Sequence, residues 1–298
     1  MVHVVDLAFL GRSQTIATGV LEGPGGLVLV DPGPASTLEG LQRGLTDLGY
    51  DLDAVCALLV THIHLDHSGA VGAIVRRCPR VRVCVHERGA PHLIDPGKLV
   101  QSASRLYGDS MGRLWGEVAP VPAERVEALG GGETLRLAGR VVQVADTPGH
   151  ASHHLAYFDE ASETAFIGDT GGIRIGSPLC VVPPTPPPDI NLEAWYASLD
   201  RIRGWRPRQI FITHFGPFTD TDAHLADLER RLREYAELVR SLLADPSMDD
   251  GGRQARFVER ALERLGDQLG DAGALERYKV AVPFDHCWHG LARYWRKR

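Results

Sequence analysis

An apolar run, Ala57-Leu58-Leu59-Val60, leads directly into Thr61-His62-Ile63-His64-Leu65-Asp66-His67-Ser68-Gly69, which sets three imidazoles and a carboxylate within six residues. This stretch constrains the chain strongly, because the run reads as a buried strand whose end must present several polar groups at one place. Neutral imidazole and carboxylate oxygen are the protein ligands that zinc, iron and manganese accept. In an extended segment His62, His64 and Asp66 share one face, and a turn into a following helix brings His67 round toward a second ion. The stretch is read as a metal site able to serve two cations.

The rest of the chain supplies the container. Its 298 residues allow one large domain and an appendage, and a 44% hydrophobic content can fill a real core. No apolar run approaches the roughly 20 residues of a membrane helix, so no membrane partner is expected. The start of the chain, Met1-Val2-His3-Val4-Val5-Asp6, lacks the basic segment and cleavage site of a signal peptide, and a cytoplasmic location is expected. Cys56, Cys78, Cys84, Cys180 and Cys287 are odd in number with no Cys-x-x-Cys pair, which argues for reduced, structural thiols. A formal net charge of −6 gives no footprint for nucleic acid, and the basic residues between Arg293 and Arg298 read as a solvated helix end. The expected partner is a small-molecule substrate, with a homodimer allowed.

Strands are expected over 4–10, 15–21 and 27–31, the last ending in Asp31 beside Pro32-Gly33-Pro34. Asp31 has two open readings: a turn cap, or a carboxylate that orients a metal-bound histidine. Ser36 is expected to cap a helix running to Leu48 with Leu38, Leu41 and Leu45 on one face. A small-residue helix over 68–77 and a strand over 81–85 follow, and His86 and Glu87 are read as structural or rim residues. Segment 89–126 reads as an insertion on the active-site side, interrupted by prolines and glycines. Strands resume at 134–137 and 141–144 and lead through Thr147-Pro148-Gly149 to His150, better placed as a ligand than His153 or His154.

After strands at 155–158 and 164–167, the sequence Gly168-Asp169-Thr170-Gly171-Gly172 makes Asp169 a ligand candidate beside a sharp turn. The segment from Pro183 to Asp189 is too proline-rich for helix or central strand and reads as a stiff wall. A helix over 192–204 leads to Ile210-Phe211-Ile212-Thr213-His214, a buried strand ending in Thr-His like the one ending in Thr61-His62, which suggests two related halves. Beyond 217 the pattern turns to amphipathic helices near 222–244, 253–269 and 286–297, giving expected units of 1–219 and 220–298. The aromatic residues Phe284, Trp288, Tyr294 and Trp295 are read as core.

In order, Asp31, His62-x-His64-x-Asp66-His67, His150, Asp169 and His214 resemble the pattern of the metallo-β-lactamase fold superfamily, over about residues 4–217. The resemblance implies an α+β, four-layered αβ/βα sandwich with a dinuclear site at one edge, here followed by a C-terminal helical extension. It implies that His62, His64 and His150 hold one metal, that Asp66, His67 and His214 hold the other, and that Asp169 bridges them. The cofactors implied are two divalent ions, zinc foremost, with iron or manganese acceptable. The bridging Asp is typical of glyoxalase II, lactonases and phosphodiesterases, whereas true zinc β-lactamases lack it. A hydrolase of an ester, thioester, lactone or phosphoester follows, its nucleophile a metal-bridging hydroxide, with Asp66 a ligand and candidate proton relay. The alternative is a mononuclear iron oxidoreductase similar to persulfide dioxygenases. Acyl-homoserine lactonases carry a Tyr shortly after the bridging Asp where this chain has Gly171, Gly172 and Ile173, and the acidic balance does not suit ribonuclease Z. Arg174 is a candidate to grip a substrate carboxylate or phosphate, and the C-terminal helices are expected to close over the metal edge.

Overall fold

The computed structural model describes residues 1–298. The first sheet takes its six strands in chain order: β1 (Val2–Asp6), β2 (Ala17–Gly23), β3 (Gly26–Val30), β4 (Val55–Leu59), β5 (Arg82–His86) and β6 (Val126–Leu129). Its first two pairings are antiparallel and the remaining three parallel. The second sheet runs in reverse order from β12 (Gly216–Phe218) through β11 (Gln209–Ile212), β10 (Thr164–Phe166), β9 (Leu155–Asp159) and β8 (Arg140–Asp146) to β7 (Thr134–Leu137).

Both faces of each sheet are covered, which is why the central strands read as continuous apolar runs. In β3, Val28 and Val30 join Leu59, Tyr157, Phe166 and Phe211 in the layer between the sheets, whereas Leu27 and Leu29 pack outward. The outward layer belongs to α1 (Leu38–Asp47), α2 (Leu65–Ser68), α3 (Val71–Arg77), α4 (Ala90–Ile94), α5 (Gly97–Tyr107) and α6 (Met111–Trp115). Behind the second sheet lie α7 (Leu192–Gly204), α8 (Thr221–Leu243), α9 (Asp250–Leu269), α10 (Ala272–Ala281) and α11 (Phe284–Arg296). The expected four-layered sandwich is present, and the helices after 219 share one buried cluster with Ala156, Ala165, Ile210 and Ile212 of the second sheet. No helix is long and apolar enough to cross a membrane.

Several local expectations are corrected. The first strand stops at Asp6 because its carboxylate accepts the N–H groups of Ala8 and Gln14, while Ala8 and Leu10 turn left-handed at φ 47° and 53°. Ser36 caps no helix: it lies in a 3-10 turn, and its hydroxyl donates to the Leu114 carbonyl at 2.6 Å. The helix expected over 68–77 starts only at Val71 as α3, and Gly69-Ala70 separates it from the single turn of α2, which begins at Leu65 inside the motif. A Cβ on Gly69 would lie 2.5 Å from the Leu65 carbonyl and 3.1 Å from Pro34, so close packing favours glycine at that joint.

The two sheets are tied together at the edge that carries the motif. Leu155 N–H donates to Thr61 O at 2.7 Å, Ala17 N–H to Thr213 O at 2.8 Å, and the Tyr157 hydroxyl to Val60 O at 2.9 Å. The ends of β3, β4, β10 and β11 therefore converge, and with them Asp31, His62, Asp169 and His214.

Candidate metal centre

The centre is built from behind by Asp31. This residue is 1% exposed and left-handed at φ 50°, a conformation that Asp tolerates better than most side chains. Its Oδ1 accepts the Thr61 N–H at 2.8 Å. Its Oδ2 accepts the Thr61 hydroxyl at 2.7 Å, the Thr213 hydroxyl at 2.7 Å and the His67 Nδ1–H at 2.8 Å. Of its two readings, the orienting one describes the contacts found. The paired Thr-His strand ends also gain a physical meaning, since both threonines reach the same carboxylate.

Three other imidazoles are fixed through Nδ1. His150 donates to Pro184 O at 2.9 Å, His214 donates to Thr15 O at 2.7 Å, and His62 Nδ1 lies 3.1 Å from the Thr61 hydroxyl. In each case Nε2 is left for the centre, as a backbone or hydroxyl partner on the far nitrogen sets the tautomer of a ligating histidine. His64 is reversed. Its Nδ1 lies 2.8 Å from His62 Nε2 and 3.1 Å from His150 Nε2.

A second group gathers beside this first one. Asp66 Oδ2 is 3.8 Å from His67 Nε2 and 3.4 Å from His214 Nε2. Asp169 stands between the groups, with Oδ1 3.3 Å from His67 Nε2 and 3.6 Å from His214 Nε2, and Oδ2 3.5 Å from His150 Nε2. Ligands bound at about 2.0–2.2 Å around one ion lie roughly 3–3.5 Å from each other, and the contacts within the groups, from 2.8 to 3.8 Å, bracket that spacing. Moreover, His67 Nε2 and Asp169 Oδ1 are buried with no hydrogen-bond partner, a state that buried polar atoms rarely keep and that a cation between them relieves. The donor set fits divalent metal ions.

Charge is divided unevenly between the groups. Burial, reinforced by neighbouring histidines, depresses His62 and brings His64 to about 4, so these imidazoles stay neutral and ready to ligate. Burial opposes charge on His67 too, but the carboxylates of Asp169, Asp31 and Asp66 outweigh it and raise its pKa well above the usual value. Burial would raise Asp66, yet His67 and His214 hold it down to about 2. A raised histidine pKa means the metal-free protein carries a proton there at neutral pH, and ligation must expel it. Metal uptake at pH 7 is therefore expected to release roughly one to two protons per chain. Calorimetry in buffers of different ionisation enthalpy measures this, and an enthalpy independent of buffer contradicts it.

The neighbouring histidines are structural or peripheral. His154 is held by the Thr147 hydroxyl at 2.9 Å and the Thr170 N–H at 3.4 Å. His86 accepts the Arg88 N–H at 2.9 Å, and its Nε2 lies 3.4 Å from Asp146. His153 lines the cavity described below without joining either ligand group.

Arg174 does not reach the cavity. It is 4% exposed, donates to both Asp220 oxygens at 2.8 and 2.9 Å and to the carbonyls of Pro178 and Ser177 at 3.1 Å, and lies 4.2 Å from the Phe218 ring centroid. Each of the three guanidinium nitrogens is engaged, so the geometry assigns it to bracing the loop after Asp169 and not to gripping substrate. Arg174→Met should lower stability by about 1–3 kcal/mol, the range for leaving buried acceptors unpaired. Its KM for any substrate should stay within about twofold; a larger KM change with unchanged melting temperature would restore the gripping role.

His64, Asp66, His150, Asp169 and His214 form the floor of a cavity of about 660 Å³, with His62 and His67 buried behind them. Pro184 and Pro186 to Pro188 form one side, so the proline-rich segment is a wall that also orients His150. Segment 89–126 forms another through α5 and α6, as the insertion reading expects. The C-terminal helices close the cavity through Val280, Val282, Pro283 and His286 at the junction of α10 and α11. Phe284, Trp288 and Tyr294 are buried in the helical core and Trp295 packs against it. Sequence reasoning missed the carbonyls of Thr15 and Pro184 as orienting acceptors. Backbone oxygens leave no residue-type signal, and only the Thr-His repeat hinted at the Asp31 hub.

A family model described as the metallo-beta-lactamase superfamily matches residues 15–214. A hydroxyacylglutathione hydrolase of a Synechococcus strain is 28% identical over 223 residues, covering 70% of this chain and 69% of that protein. The matched spans take in 66%, 69% and 44% of the lengths of three curated relatives. Among solved structures, the metallo-beta-lactamase family protein TTHA1429 of Thermus thermophilus superposes over 99% of this chain and 93% of its own at a TM-score of 0.71 and 22% identity, a likeness of fold. TTHA1623, solved in a di-iron-bound form, is 28% identical and covers 71% of this chain and 91% of its own at a TM-score of 0.52.

Proposed function

The chain belongs to the metallo-beta-lactamase superfamily, and from that premise we propose that it is a dinuclear metal-dependent hydrolase acting on a small-molecule ester or thioester, with lactones and phosphoesters as the neighbouring substrate classes. The observation that carries this reading is Asp169, whose Oδ1 faces His67 and His214 while its Oδ2 faces His150 at the floor of one cavity. The name of the hydroxyacylglutathione hydrolase relative supports the thioester class, and the di-iron form of TTHA1623 supports two ions in such a site.

His62, His64 and His150 would hold one ion, Asp66, His67 and His214 the other, and Asp169 both. When bound, such a pair of zinc, iron or manganese ions supplies a water made acidic enough to attack at neutral pH, its pKa lowered from about 15.7 toward 7, and polarises the substrate oxygen. The protein's own residues do the rest. Asp31 holds His67 in one tautomer, and Pro184 and Thr15 do the same for His150 and His214. Asp66, its side chain 25% exposed at the cavity floor, is held ionised by His67 and His214, which suits it to ligation more than to taking up a proton. Cys287 also lines the cavity, but burial pushes its thiol up to about 11, so it offers no thiolate.

Metal-reconstituted protein should be assayed against thioesters, lactones, phosphodiesters and aryl esters with and without oxygen. Oxygen-independent turnover of an ester or thioester, abolished by a chelator and restored by metal, is expected. Oxygen consumption with one iron per chain and no hydrolysis would place the chain with the persulfide dioxygenase type instead.

A further inference from the structure

Four aromatic rings run along one side of the cavity. Phe9 stacks on Trp115 with centroids 5.7 Å apart, Trp115 meets Tyr107 edge-on at 5.0 Å, and Tyr107 meets His286 edge-on at 5.8 Å. All four line the cavity whose floor is the metal centre. They come from three segments far apart in sequence: the loop after β1, the α5–α6 insertion, and α11. None of the four is a ligand candidate. Trp115 and Phe9 are 7% and 5% exposed, so the back of the wall is anchored in the core of the first sheet. Toward the mouth, Leu10 and Leu106 continue the apolar surface at 40% and 50% exposure.

Large apolar side chains left open around a concave site are characteristic of surfaces that a ligand covers. Tyr107 and His286 are half-buried at the cavity and held edge-on at a fixed angle against the Phe9–Trp115 backing, an arrangement that accepts a further ring in offset or T-shaped contact. We propose that this wall recognises an aromatic group of the substrate, making the chain selective for esters or thioesters that carry an aryl substituent. The inference rests on the hydrolase reading for its scissile bond, but the wall itself is defined by residues outside the metal centre.

Two arms test it. In the first, kcat/KM is compared for the phenylacetyl, cyclohexylacetyl and acetyl thioesters of N-acetylcysteamine, and for benzyl and methyl acetate. At least tenfold preference for the aryl member over the small one is expected in one of the two series, with phenylacetyl ahead of cyclohexylacetyl by about threefold or more, the scale of ring–ring contact beyond area burial. The second arm needs no turnover: calorimetry of the metal-loaded protein with the S-benzyl and S-methyl thioethers of N-acetylcysteamine, which carry no scissile acyl bond, should show at least tenfold tighter binding of the benzyl compound. Tyr107→Ala should shrink both ratios at least fivefold, and His286→Ala, which alters the other end of the wall, should shrink them in a chain whose core aromatics are untouched. Equal binding of the two thioethers, or ratios unmoved by either variant, overturns the proposal. Absence of all hydrolysis with benzyl selectivity retained in the binding arm overturns the hydrolase reading alone.

Discussion

An Asp169→Ala variant, folded as judged by circular dichroism, should lose hydrolytic turnover by at least about 10³-fold and retain less metal per chain than the unaltered protein. The magnitude is at or above that for removing one preorganised electrostatic group from an active site. The reason lies in its position. Asp169 is buried at 4% exposure, and its oxygens lie 3.3 to 3.6 Å from His67, His214 and His150, which belong to different ligand groups. Nearby histidines hold its carboxyl well below the usual range against the effect of burial, so it supplies full negative charge where two cations would meet. Alanine removes that charge and leaves the cations' mutual repulsion unshielded. Full turnover in a metal-loaded Asp169→Ala protein would refute the bridging role.

Asp31→Ala is expected to act through stability as well as metal affinity. Four donors converge on this one carboxylate: the Thr61 N–H, the hydroxyls of Thr61 and Thr213, and the His67 Nδ1–H. All are buried, and unpaired buried donors are penalised by about 1–3 kcal/mol each before relaxation. A loss of about 3–5 kcal/mol in unfolding free energy is expected, together with a 10- to 100-fold loss of metal affinity, the range seen when a histidine's outer partner is removed. Asp31→Asn keeps one acceptor oxygen and tolerates the left-handed backbone at φ 50°, so it should be less destabilised while still losing metal affinity. Chemical denaturation and metal competition titrations measure the two effects; an Asp31→Ala protein of unchanged stability and affinity would return Asp31 to a simple turn cap.

The gathering of ligand-type residues after β4 was legible because its information is local. His62, His64, Asp66 and His67 lie within six residues after an apolar strand, and ligand chemistry is written in residue type. His150, Asp169 and His214 were legible because each follows a strand at a turn. Asp31 could not be resolved from sequence, since its partners Thr61, His67 and Thr213 lie 30, 36 and 182 residues away. Arg174 shows the same limit: charge alone suggests solvent or substrate, whereas Asp220, 46 residues on, buries it.

Secondary structure failed where elements are short or weakly patterned. β6 is the four residues Val-Glu-Ala-Leu, half of them poor strand formers, and exists because it extends β5 in parallel register. β12, Gly-Pro-Phe, is tolerated only as an edge strand, where the missing proline N–H goes unused. α10 escaped notice although Asp271 caps it by accepting from Gly273 and Ala274, because its apolar residues form no clear stripe. The aromatic wall could not be read at all, for Phe9, Tyr107, Trp115 and His286 meet only in the folded chain.

The central claim, a two-ion centre bridged by Asp169, is tested most directly by counting metal ions per chain during reconstitution while hydrolysis is followed. Elemental analysis should reach two divalent ions per chain, with ester or thioester turnover appearing as the second ion binds and independent of oxygen. Saturation at one ion per chain, with activity already complete or coupled to oxygen uptake, would contradict it.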